Sequence, residues 1–112
     1  MTDTPFELRS TRIGDAVVVA IVGEIDMANA PEVASAIDSG QGATRIVVDL
    51  SDVTFLDSSA LNAFVQSRQS LAEHDVAFRI VSPANHPVRN IFEITRLTEP
   101  LSVVDSLDDA LA

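Results

Sequence analysis

The stretch FLDSSALNAF, residues 55–64, breaks an apolar run at Asp57, Ser58 and Ser59 and then resumes with helical spacing. A serine hydroxyl at a helix start can act as a nucleophile or carry a phosphate. The unpaired N–H groups and partial positive charge of that terminus would receive the phosphate well. The same residues are also favoured helix caps, worth about 1 kcal/mol, and their spacing alone leaves both roles open. Hydrolysis finds little support. There is no G-x-S-x-G elbow, and His74 sits sixteen residues beyond Ser58 on the same predicted helix, about 24 Å away at 1.5 Å per residue. His86 is expected either at the same sheet edge as Ser58 or in the solvated first turn of another helix. Arg89 and Arg96 flank VRNIFEITR as either a phosphate patch or a solvated helix face.

Composition narrows the classes further. The chain has 112 residues, 46% of them hydrophobic, which suits one domain spanning residues 1–112. It contains no cysteine, which removes thiol catalysis, disulfides and Cys-built zinc sites. No metal and no cofactor are expected. Net charge is −10, and all seven basic residues are arginine. Such a surface repels nucleic acid and anionic lipid, and it favours a neutral or basic partner. The N-terminus lacks the pattern of a signal peptide. The longest apolar run, AVVVAIV, falls far short of the ~20 residues of a membrane span. The expectation is a soluble, cytoplasmic protein, a monomer or weak dimer.

Four apolar runs read as strands. FELRSTRIGDAVVVAIVG divides into two at the hairpin signal Gly14-Asp15, with the second strand ending at Gly23. RIVVDL follows, bounded by Ser51-Asp52, then VAFRIV and a short LSVV. Helical patterns lie between them. Asn29 and Glu32 suggest a capping box, with Pro31 in the first turn, Gly40 at the stop, and Val33 and Ile37 facing inward. The next helix places Leu61, Phe64, Val65, Leu71 and Ala72 on one stripe. A third carries Val88, Ile91, Phe92 and Thr95 behind an Asn85 cap, and SLDDALA suggests a short last helix. The order predicts an α/β fold: a mostly parallel mixed sheet of four to five strands with about four helices and one antiparallel edge.

These elements would set Asp57-Ser58-Ser59 at the C-terminal edge of the sheet, where functional groups of open α/β sheets gather. Gly23-Glu24-Ile25-Asp26, Asp49-Leu50 and Asp57-Ser58-Ser59-Ala60-Leu61, at their spacing, resemble the STAS domain of bacterial anti-anti-sigma factors across essentially the whole chain. The resemblance implies a binding protein that is not an enzyme. It implies that Ser58 is phosphorylated from ATP by an anti-sigma factor that is also a serine kinase. The unphosphorylated form would bind that partner and free the sigma factor; a PP2C-type phosphatase would reset the modified form. Asp26 and Asp57 would shape the electrostatics around Ser58, and Ser59, Ala60, Leu61 and Asn62 would belong to the partner surface. Ala60 replaces the glycine of the family pattern, and its methyl is expected to crowd an approaching backbone. Phospho-aspartate receivers resemble the chain in element order but need a lysine that it lacks. The resemblance also allows a scaffold or stressosome-type subunit, or a component of a transport complex. The row Ala60, Ala63, Ser67 and Ser70 suggests either close approach by a partner helix or packing on the chain's own sheet.

Overall fold

The computed structural model describes residues 5–40 and 42–112. Its elements run β1 (Glu7–Ile13), β2 (Ala16–Ile25), α1 (Ala30–Asp38), β3 (Arg45–Leu56), α2 (Ser58–Ala72), β4 (Ala77–Val81), α3 (Pro87–Ile94), β5 (Val103–Val104) and α4 (Leu107–Leu111). The five strands form one sheet in the order β1-β2-β3-β4-β5. Only β1 is antiparallel to its neighbour. The expected mixed α/β sheet with four helices is what the chain forms.

Local chemistry explains most boundaries. The β1–β2 hairpin turns on Gly14, whose φ of 61° suits glycine. Gly40 lies just beyond the end of α1, where a Cβ would come within 2.5 Å of Ile46 Cδ1. Close approach of the backbone to β3 therefore explains this glycine. α4 begins at Ser106, whose Oγ accepts from Asp109 N at 3.1 Å. Its far end is held by Arg45, whose guanidinium donates to the carbonyls of Ala110 (3.0 Å) and Ala112 (3.1 Å).

Two elements differ from the sequence expectation. β2 continues through Gly23 to Ile25, and β3 continues through Ser51 and Asp52 to Leu56. The polar pair at 51–52 is tolerated because β3 keeps Val53 and Leu56 buried while it pairs with β2, with register shifts along the way. β4 stops opposite Asp49, so β3 overhangs it. α3 is capped not by Asn85 but by His86, whose Nδ1 accepts from Val88 N at 3.3 Å.

The sheet has a core on each face. α1, α2 and α3 cover one, with Val33, Ile37, Phe64, Val88 and Phe92 packed on Val19, Ile21, Val48 and Ile80. α4 covers part of the other, setting Ala110 and Leu107 against Val18, Val47 and Val81. Along α2 the inward residues are Ala60, Phe64 and Ser67, with Leu61, Val65 and Leu71 half-buried; Ala72 is exposed. Thr95, expected on the inward stripe of α3, is exposed too. Both lie at the end of a helix, where the stripe has run past the sheet.

Candidate functional site

β2 and β3 run side by side to the same edge of the sheet, paired Ile25 with Leu56 at their last residues. Asp26 and Asp57 therefore leave adjacent parallel strands at the same level. Asp57 N donates to Ile25 O at 3.2 Å, which ties the two exits together.

Each aspartate shapes its own turn. Asp57 is the N-cap of α2, and its Oδ1 accepts from Ser59 N at 2.9 Å and Ala60 N at 3.2 Å. Asp26 Oδ1 accepts from Ala28 N at 2.9 Å. Asn29 makes no side-chain cap on α1, contrary to the expected capping box. Its side chain instead braces the loop: Oδ1 accepts from Asp26 N and Nδ2 donates to Glu24 O, both at 2.9 Å. A loop held this way presents Met27, 76% exposed, outward.

Ser58 is the first residue of α2 and is exposed. Its hydroxyl has no hydrogen-bond partner among the described residues. The following amides do not stand ready for a phosphate, as the helix start suggested from sequence. Ser59 N and Ala60 N already serve Asp57. A phosphate on Ser58 would have to compete with that carboxylate and would be repelled by it.

The other predicted site residues separate. Asn62 is exposed, and Ser59 and Leu61 are half-buried, Leu61 against the core. Ala60 is 0% exposed and belongs to the core. Its methyl points away from any approaching backbone, which overturns the expected crowding and removes Ala60 from the contact surface. Ala60→Gly should therefore lower stability by about 1–2 kcal/mol, from helix propensity and a lost buried methyl. Urea denaturation checks this.

A shallow cleft of about 370 Å³ starts beside the serine and runs between α1 and α2. Met27, Ala30 and Ala34 line one wall and Ser59, Asn62 and Gln66 the other. Met27 and the 49%-exposed Phe55 are apolar groups near the site that sequence reading passed over. Their signal is an apolar residue in a loop after a strand and one out of phase with its strand's buried face. A larger cleft of about 620 Å³ lies at the opposite end of the helices, lined by Asp38, Ser70 and His74. There His74 Nδ1 pairs with Ser70 O at 3.0 Å.

The remaining candidates serve structure. Arg89 donates to Ser82 O and Asp105 Oδ1, both at 2.7 Å, clipping α3 to the loop after β5. It is a structural clip, not part of an open phosphate patch with the exposed Arg96. Of the small-residue row, Ala60 and Ser67 are buried and pack within the domain, whereas Ala63 is half-buried and Ser70 exposed. No group of three or more His, Cys, Asp or Glu suited to a metal ion occurs among the described residues.

Comparison with known proteins fits this geometry. The STAS domain family model matches residues 7–110. The anti-sigma-B factor antagonist of Listeria monocytogenes is 31% identical over 91 residues, covering 80% of this chain and 79% of that protein. The crystal structure of an anti-sigma factor antagonist from Mycobacterium paratuberculosis superposes with a TM-score of 0.85 at 28% identity, over 96% of this chain and 92% of that one. The phosphorylated Bacillus cell fate determinant SpoIIAA shares the fold, with a TM-score of 0.66 at 19% identity over 94% of each chain. With its paired strand exits and Asp-Ser-Ser helix start, the chain belongs to the STAS domain family and, within it, to the anti-sigma factor antagonists.

Proposed function

We propose that the unphosphorylated protein binds an anti-sigma factor with serine kinase activity, frees the sigma factor, and is released when Ser58 is phosphorylated. The observation that carries this reading is an exposed, unbonded Ser58 hydroxyl at the start of α2, directly after a capping aspartate. Its motif neighbours and the Listeria relative point the same way.

The chemistry asks little of this chain. The Ser58 oxygen attacks the γ-phosphorus of ATP, the bond to the β-phosphate bridging oxygen breaks, and the hydroxyl proton goes to a base on the kinase. The domain itself catalyses nothing and supplies a rigid, presented acceptor. A PP2C-type phosphatase hydrolyses the ester and restores binding. The rim offered to the partner comprises Ser58, Ser59 and Asn62 on α2 with Met27 and Phe55 beside it, while Asp26 and Asp57 set its negative potential.

The scaffold reading keeps only part of the surface that motivated it, since Ala60 and Ser67 of the small-residue row pack inside the domain while Ala63 is half-buried and Ser70 exposed. Incubation with kinase-type anti-sigma factors and ATP, followed by mass mapping, tests the proposal. A single phosphate on Ser58 is expected; phosphate elsewhere, or none with every such kinase, would sink it.

A further inference from the structure

Outside the switch edge, β1 stands out. It is a seven-residue outermost strand in regular register with β2, without a bulge. Edge strands are usually blunted by proline, lysine or a bulge, because their free N–H and C=O groups template pairing with another chain. β1 holds no proline and no bulge, and its charged residues are Glu7, Arg9 and Arg12. It is instead a locally basic segment on a chain of net charge −10, holding Arg9 and Arg12 against one acid, Glu7. Two copies that repel each other elsewhere would meet here at least electrostatic cost.

The pattern of charges selects a register. An antiparallel pair of identical strands related by a twofold axis normal to the sheet keeps each face on its own side, so residues of equal parity face one another. Centring the axis on Arg9 or Arg12 sets like charges directly opposite. Centring it on Leu8 sets Glu7 opposite Arg9 twice, on the face away from α1 and α2. Leu8 then meets its own copy on the other face, where Phe6 and Leu8 already pack against the main core. No described residue bonds to the side chain of Glu7 or Arg9. Opposite charges directly across an antiparallel pair are favourable, and like charges there are unfavourable.

We propose that a second copy of this chain docks on the first part of β1 in the Leu8-centred register, Phe6 to Ser10 pairing with the same residues of the copy, joining two five-stranded sheets into one. Antiparallel docking points the two Ser58 edges in opposite directions, so neither covers the other. The inference does not depend on phosphorylation. Sedimentation equilibrium of the full chain at micromolar to millimolar concentration tests it.

A concentration-dependent dimer is expected. Arg9→Glu should weaken it by roughly tenfold or more, because two symmetry-related pairs change from attraction to repulsion. Glu7→Arg should weaken it similarly although it reduces the net negative charge. The double variant Glu7→Arg/Arg9→Glu should restore wild-type association. A monomer throughout the concentration range overturns the proposal. So does a dimer indifferent to Arg9→Glu, or one that Glu7→Arg strengthens, since net charge alone would then be responsible.

Discussion

Ser58→Asp should bind the kinase-type anti-sigma factor roughly a hundredfold more weakly than wild type, while Ser58→Ala binds constitutively and takes up no phosphate. The estimate follows from charge. An acidic group of the partner ~6 Å from the added charge would be repelled by on the order of 3 kcal/mol at an effective dielectric near 20, which corresponds to about two decades in affinity. A phosphate carries about −1.5 to −2 charges at pH 7, so the modified protein should bind no better than the aspartate variant. The structure strengthens the expectation on one point. The amides that could have neutralised the added charge, Ser59 N and Ala60 N, are engaged by Asp57. The helix terminus can offset only ~0.3–1 kcal/mol, so repulsion from an acidic partner group facing the site wins. Isothermal titration of both variants against the purified partner checks it. Equal affinities for both variants and wild type would end the switch assignment.

The largest loss of stability should come from Phe64→Ala. Phe64 is 0% exposed on the inward face of α2, and its ring centroid lies 6.5 Å from that of Phe92, likewise 0% exposed. Truncation removes most of the side chain that joins α2 to α3 over the sheet. Large-to-small changes of this kind cost about 3–5 kcal/mol. A domain of this size holds only about 5–15 kcal/mol in total, so the loss is a large share. The urea midpoint should fall accordingly with an unchanged slope. A loss below about 1 kcal/mol would mean the core collapses around the gap far more than its packing suggests.

What the sequence disclosed was local. The hairpin at Gly14, the Asp57 cap and the inward Val33 and Ile37 each depend on neighbours within a turn or two of chain, and each is found where read. The reading failed where a distant partner decides. Ser51-Asp52 looks like a strand end until β2 is alongside, because only pairing with residues 22–25 sustains β3 to Leu56. Ala60 looked like surface because a small residue beside two serines carries no hydrophobic signal. Its burial depends on how α2 lies over the sheet. Neither expected asparagine cap forms: Asn29 finds its donor and acceptor within its own loop, and His86 rather than Asn85 caps α3.

The unequal lengths of β3 and β4 give the domain two mechanical halves. Past Asp49 the stem beneath the serine is a cantilever, laddered to β2 alone. A load applied at its tip falls on one row of backbone hydrogen bonds and on the core packing of Val53 and Leu56. The proposed phosphate would therefore bear first on the part of β3 that only β2 holds.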